Sequence, residues 1–125
     1  MDLSSPRRIG KSELFVTPLG FGGGTIGSPD VPTQTSLDTV NAAWTSGVRF
    51  FDTAPWYGLG RSERRLGLAL AGIDDRERYC INTKVGKSLV PEPQRDEGKR
   101  TLSPGGQVRT PRDPITGFRV EFDYT

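Results

Sequence analysis

Residues 20–30 read GFGGGTIGSPD, and within them Gly22, Gly24 and Gly27 spell G-x-G-x-x-G. As a dinucleotide fingerprint this spacing needs a strand running into the glycines and a helix leaving them. The pyrophosphate then rests on the helix N-terminus, with an acidic residue about 20 positions on. A short apolar piece from Leu19 meets the first requirement. The second fails, because Gly27-Ser28-Pro29-Asp30-Val31-Pro32 is turn-forming and its two prolines forbid a helix starting at Gly24. Asp38 and Asp52 also miss the spacing or the strand end expected of the acidic residue. The stretch therefore reads as a glycine turn at the C-terminal end of a strand, where backbone and ligand can approach closely.

Outward from that turn, residues 7–16 (RRIGKSELFV) read as two short strands around a tight turn at Gly10-Lys11-Ser12. A helix follows the glycines, with Thr35 or Ser36 as N-cap, Leu37, Val40 and Trp44 at helical spacing, and Gly47 as the terminating C′ residue. VRFFD (48–52) has strand composition. A second helix is expected from Ser62 as N-cap, with Glu63 suiting its positive end, an apolar stripe of Leu66, Ala69 and Leu70, and Gly72 at its close. YCINTKV (79–85) is the next strand. This alternation predicts an α/β fold with parallel strands and right-handed helical crossovers.

After Gly86 the character changes. Residues 87–117 carry five prolines, many charges and few apolar groups, and are expected to form a Pro/Gly-rich polar excursion, either a functional lid-like segment or a disordered one. FRVEFDYT (118–125) then alternates apolar and polar residues as an extended segment does. The chain has 16 glycines and 10 prolines in 125 residues, about a fifth of its length, against a usual combined share of roughly 12%.

Charge and cysteine content narrow the function classes. With 17 basic and 15 acidic residues the formal net charge is +2, which gives no electrostatic case for nucleic acid or for an anionic membrane surface. The basic run between Arg95 and Arg112 has no aromatic ladder and reads as a solvated loop. Cys80 is the single cysteine, so no internal disulfide forms, and its apolar neighbours suggest a buried, inert thiol. There is no histidine, which removes the commonest general base and metal ligand, and no metal site is expected. The first 20 residues lack an apolar core of signal-peptide length, and no run approaches the roughly 18 apolar residues of a membrane span. A cytoplasmic protein is the expectation.

FFDTAPWYGLGRSERRLG (50–67) carries the chemistry. Asp52 ends one strand, Tyr57 lies five residues into the following loop, and Lys84 ends the next strand. In a parallel barrel all three converge on one face, the mouth at the strands' C-terminal ends. Taken singly, each has a plainer reading: a turn aspartate, a loop aromatic and a solvated lysine. Together they have a specific logic. A phenol with an ordinary pKa near 10 is a poor acid at neutral pH. An ammonium beside it favours the phenolate, and a carboxylate keeps that ammonium charged and oriented. Such a cluster can give a proton to a carbonyl oxygen or take one from an alcohol.

DTAPWYGLGRSERRLGLAL resembles the signature of the aldo-keto reductases, D-T-A-x-x-Y-G followed by S-E-x-x-L-G. RRIGKSELFVTPLGFGGGTIG resembles the family's opening, and NTKVG its lysine-bearing third strand. The likeness runs from Arg7 to Val85, with FRVEFDYT as a weaker extension. Within the family, GFGGGTIG, FFDTAPWYG and the Pro-rich stretch before FDYT resemble the branch of aldose (fucose- or galactose-type) and pyridoxal dehydrogenases. The resemblance implies the N-terminal part of a (β/α)8 TIM barrel with an N-terminal β-hairpin, about three of eight strands being present. It also implies hydride transfer between NAD or NADP and a carbonyl or sugar-like small molecule. Tyr57 would be the proton donor or acceptor, tuned by Lys84 and Asp52. Gly24, Thr25 and Asp52 would line the nicotinamide end of the cofactor site, and Trp56 would wall the substrate pocket.

The family's fourth catalytic residue is a histidine after strand four, and this sequence has none. A whole barrel takes about 250 residues. The expectation is therefore a truncated chain, residues 7–125 being a partial domain. Such a chain would be inactive by itself and would need a complementing C-terminal half. The alternative is a non-catalytic remnant or interaction fragment.

Overall fold

The computed structural model describes residues 5–91 and 118–122. The chain opens with an antiparallel hairpin of β1 (Arg7–Arg8) and β2 (Phe15–Val16), paired Arg7 with Val16 and Arg8 with Phe15. Gly10 takes φ +53° in the connection, and the Ser12 hydroxyl donates to the Ile9 carbonyl at 2.7 Å. Thr17, buried, then joins the hairpin to the body: its hydroxyl donates to the Leu19 carbonyl and accepts the Arg49 amide.

Three short parallel strands follow: β3 (Phe21–Gly22), β4 (Phe50–Asp52) and β5 (Cys80–Asn82), in spatial order β3-β4-β5. Register aligns Phe21, Phe51 and Ile81 in one row and Gly22, Asp52 and Asn82 in the next. Successive strand residues face opposite sides. Phe51, fully buried, packs with Val40, Leu66 and Leu70 of the helices, so Phe50 and Asp52 face the other side of the sheet. The alternation delivers Asp52 away from the helix layer at the strand's C-terminal end.

Helix α1 (Thr33–Thr45) crosses from β3 to β4, and α2 (Arg61–Leu70) from β4 to β5. The expected strands and crossovers are present, but two caps are not where the sequence suggested. Helix α1 begins after Pro32, whose φ of −57° is already near the helical value, two residues ahead of Thr35. Ser36 is fully buried and turns its hydroxyl back to the Pro32 carbonyl, the local competition that serine offers inside a helix. The C-terminal end matches the expectation. Gly47, at φ +93°, donates to Trp44 while Val48 donates to Ala43, which is the Schellman pattern. Arg49 stacks on Trp44 at 3.6 Å and donates to its carbonyl, placing a cation at the negative end of α1.

The N-cap of α2 is Gly60 at φ +88°, and Ser62, expected at the cap, is buried inside the first turn. Cys80, expected to be buried, is only partly covered. Residues 87–91, read as the start of the polar excursion, form β6 (Lys87–Pro91), which pairs antiparallel with β7 (Phe118–Phe122). The extended segment beginning at Phe118 thus returns to pair with β6. Residues 92–117, the body of the expected excursion, lie outside the described residues. No helix among the described residues is long and apolar enough to cross a membrane.

Two glycines are fixed by steric contact. Gly27 packs so tightly that a Cβ there would lie 2.5 Å from the Tyr57 carbonyl oxygen, and a Cβ on Gly58, at φ +65°, would overlap the Gly27 carbonyl. Gly58→Ala is expected to destabilise the chain by about 2–4 kcal/mol, since it combines left-handed strain with a backbone collision. Gly72→Ala, where a Cβ meets nothing within 4 Å, should stay within about 0.5 kcal/mol of the parent. Urea unfolding of the two variants measures the contrast, and equal midpoints would refute the contact.

Candidate functional site

Asp52 ends β4, and the register sets Asn82 of β5 beside it, with the Asn82 side-chain amide donating to Asp52 Oδ1 at 2.5 Å. Two residues past Asn82, the chain presents Lys84. Its Nζ donates to Asp52 Oδ1 at 2.9 Å and Oδ2 at 2.8 Å, and to the Thr53 carbonyl at 3.0 Å. These bonds hold the ammonium along the end of β4. The hydrogen bond from Lys84 is the main reason the Asp52 carboxyl titrates below its ordinary range, helped by Asn82 and opposed by partial burial. The reciprocal bond raises the Lys84 pKa, with smaller support from Tyr57. Both side chains remain solvent-accessible, 32% for Asp52 and 45% for Lys84, so water weakens this pair relative to a buried one.

Tyr57 enters from the loop between Ala54 and Arg61. That loop is a run of tight turns: Tyr57 donates to Ala54, Gly60 to Pro55 and Ser62 to Tyr57. Gly58, Leu59 and Gly60 all have positive φ, and for Leu59, at +52°, this costs about 1 kcal/mol. The Gly27–Gly58 backbone contact clamps the loop, so the strained turn has a rigid neighbour holding it. The ring that results lies with Lys84 Nζ 4.8 Å from its centroid. Asp52, Lys84 and Tyr57, separated by up to 32 residues in sequence, thus form one contiguous group at the C-terminal ends of β4 and β5. Trp56, beside Tyr57, is 41% exposed.

Gly24 and Thr25 lie past β3, at the start of a single 3-10 turn (Thr25–Gly27), and both are exposed. A Cβ built on Gly22 or on Gly24 meets nothing within 4 Å. The backbone at both positions borders open space. Gly23 between them is closed, packed against Ser62 and Asp52.

Ser62 is a residue that sequence reasoning assigned the wrong task. Its hydroxyl donates to the Gly23 carbonyl at 2.7 Å and shares a hydrogen bond with Thr53 at 2.8 Å, fastening the ends of β3 and β4 together beneath Asp52. The missing clue was tertiary, because a serine ahead of a helix has the same local signature whether it caps or ties. Glu63 next to it, expected only to suit the helix dipole, accepts a hydrogen bond from Thr83 beside Lys84.

Comparison with known proteins gives a consistent picture. The model of the family described as "Aldo/keto reductase family" matches residues 18–108. Pyridoxal 4-dehydrogenase of Microbacterium luteolum is 37% identical over 98% of this chain and 35% of its own length. D-threo-aldose 1-dehydrogenase of a Pseudomonas species is 34% identical over 90% of this chain and 32% of its own length. Among solved structures, an aldo-keto reductase of Bacillus halodurans in its holo form superposes with a TM-score of 0.60 at 31% identity. It covers 67% of this chain, which covers 26% of it. The chain spans about a third of the length of the curated relatives it matches.

The Asp52–Lys84 pair sets a pH signature. A carboxyl whose folded pKa is lowered contributes stability above its unfolded pKa and loses it as pH falls through the folded value. An amine whose folded pKa is raised contributes below its unfolded pKa and loses it as pH rises through the folded value. Lys84→Met should therefore move the Asp52 titration upward, read by carboxyl carbon NMR, and flatten the acid limb of the stability profile. An unmoved Asp52 titration would refute the pair.

Proposed function

The chain belongs to the aldo/keto reductase family, and from that premise we propose that it carries the tyrosine, lysine and aspartate of an NAD(P)-dependent oxidoreductase site. The observation that carries this reading is the Lys84 ammonium, shared between the Asp52 carboxylate and the face of the Tyr57 ring. Asp52 holds the ammonium charged and in place. The ammonium in turn lies against the Tyr57 ring, and the phenol would pass its proton to a carbonyl oxygen on reduction or accept one from an alcohol on oxidation.

NAD or NADP, when bound, supplies or accepts the hydride of this chemistry. Gly24 and Thr25 would hold its nicotinamide end with Asp52, an assignment supported by the open space over Gly24. Trp56, exposed beside Tyr57, would wall the substrate. The substrate class proposed is a sugar-like or pyridoxal-like carbonyl or alcohol, after the names of the two dehydrogenase relatives. A cytoplasmic location belongs to the same proposal.

Turnover is proposed to require the rest of a barrel. The sequence contains no histidine to serve as the fourth catalytic residue, and β3 and β5 each have one strand neighbour among the described residues, where a closed barrel has two. A complementing C-terminal segment is the partner this implies; without it the chain would be a non-catalytic fragment.

Mixed with the C-terminal two-thirds of an aldo-keto reductase barrel, the chain should generate NAD(P)H from an aldose or pyridoxal, followed by absorbance. In that mixture Tyr57→Phe should cost about 10²–10⁴-fold in kcat, the usual scale of general acid–base catalysis. Undiminished turnover by Tyr57→Phe would overturn the mechanism. The chain by itself should give no turnover, and activity without a partner would refute the need for completion.

A further inference from the structure

Arg65 lies on α2, one turn past the loop that bears Tyr57, and only 8% of it is exposed. Its partners are not carboxylates. Nη1 donates to the Ile26 carbonyl at 2.6 Å and to the Ser28 carbonyl at 3.0 Å, and Nη2 to the Thr33 hydroxyl at 3.3 Å. Those carbonyls flank Gly27, the residue whose backbone packs on the Tyr57 carbonyl and Gly58. The same grip holds the end of the 3-10 turn that starts at Thr25 and the first residue of α1. Leaving this guanidinium buried needs all of its anchors, because a desolvated cation without hydrogen bonds is expensive.

We propose that Arg65 is a positioning residue, fixing Gly27 against Gly58 so that the Tyr57 ring is held over Lys84. The path is short and physical. The guanidinium fork sets the two carbonyls, these set the Gly27 backbone, and Gly27 is the wall against which the strained Gly58–Leu59–Gly60 turn closes. A lysine at the same position has a compact point charge in place of the fork, so it cannot hold the carbonyls and Thr33 in one geometry. The catalytic part of this inference rests on the reductase reading above; the geometric part does not.

The two parts are separable by experiment. In the full chain, Lys84 Nζ lies 4.8 Å from the Tyr57 ring centroid, so the ring current should shift the protons of the adjoining ε-carbon upfield. Arg65→Lys should abolish at least half of that shift. Leu70→Ala, which removes a buried side chain of the same helix without touching the fork, should lose stability and keep it. An unchanged Lys84 shift in Arg65→Lys overturns the proposal, as does an equal loss in Leu70→Ala. If Arg65→Lys does not fold, the parent protein in rising urea gives the answer. Loss of hydrogen-exchange protection at the Arg65 guanidinium should coincide with loss of the Lys84 shift, and a shift that outlasts the protection refutes the coupling. With a complementing barrel segment, Arg65→Lys should lower kcat about 10–100-fold while KM stays within about twofold, the cost of a misplaced reacting group. Tyr57→Phe run alongside keeps the cases apart: an active Tyr57→Phe sinks the reductase reading, and an inactive one with a fully active Arg65→Lys sinks the positioning role.

Discussion

The approach of two backbones, Gly27 on Gly58, is the constraint on which the site depends. No side chain fits between them. That contact joins the turn after β3 to the loop after β4, the two connections that must meet if strand ends are to share a site. Backbone contact is stiffer than side-chain packing, because neither partner has a rotamer to change. It allows the adjacent loop to hold Leu59 in a left-handed conformation that it would leave if it were free. The ring of Tyr57 inherits that rigidity, and Lys84 needs only to reach it.

Around this contact the sheet register sorts the side chains. Phe51 is taken by the helix layer, and Asp52, one residue on, by the opposite face. Ser62 and Thr53 tie the strand ends below the carboxylate through a hydrogen bond of 2.8 Å. Buried hydroxyls used this way satisfy carbonyls that would otherwise be left open at the ends of very short strands. The electrostatic pair above them is exposed to water and adds little stability. Its value lies in orienting an ammonium, and the packing beneath makes that orientation repeatable.

Much of the fold was legible from residue order. Helix α1 ended at Gly47 because a left-handed C′ residue there is a local requirement, visible without any tertiary knowledge. The strand runs at 48–52 and 79–85 were apolar enough to stand out, and the parallel order followed from their alternation with helices. The cap assignments failed for a common reason. Thr35, Ser36 and Ser62 carry capping chemistry, but Pro32 already supplied a helical start, Ser36 turned back onto the Pro32 carbonyl within the helix, and Ser62 was claimed by a buried tertiary bond. Strand β6 was hidden because its partner lies 27 or more residues away, and Pro91 within it argues locally against a strand.

Residue order alone places an aspartate and a lysine at successive strand ends with a tyrosine between them, in a spacing that resembles the aldo-keto reductases. It also excluded a pyrophosphate cradle at GFGGGTIGSPD, since prolines after Gly27 deny the helix such a cradle needs. The surroundings of the individual glycines are set only by the fold. Gly24 borders open space, Gly23 is closed by Ser62, and Gly27 is closed by the backbone that carries Tyr57. Glycines in one short run are alike to any local rule. Which of them faces space and which faces another chain segment depends on residues 30 to 40 positions away, and that information exists only once the chain has folded.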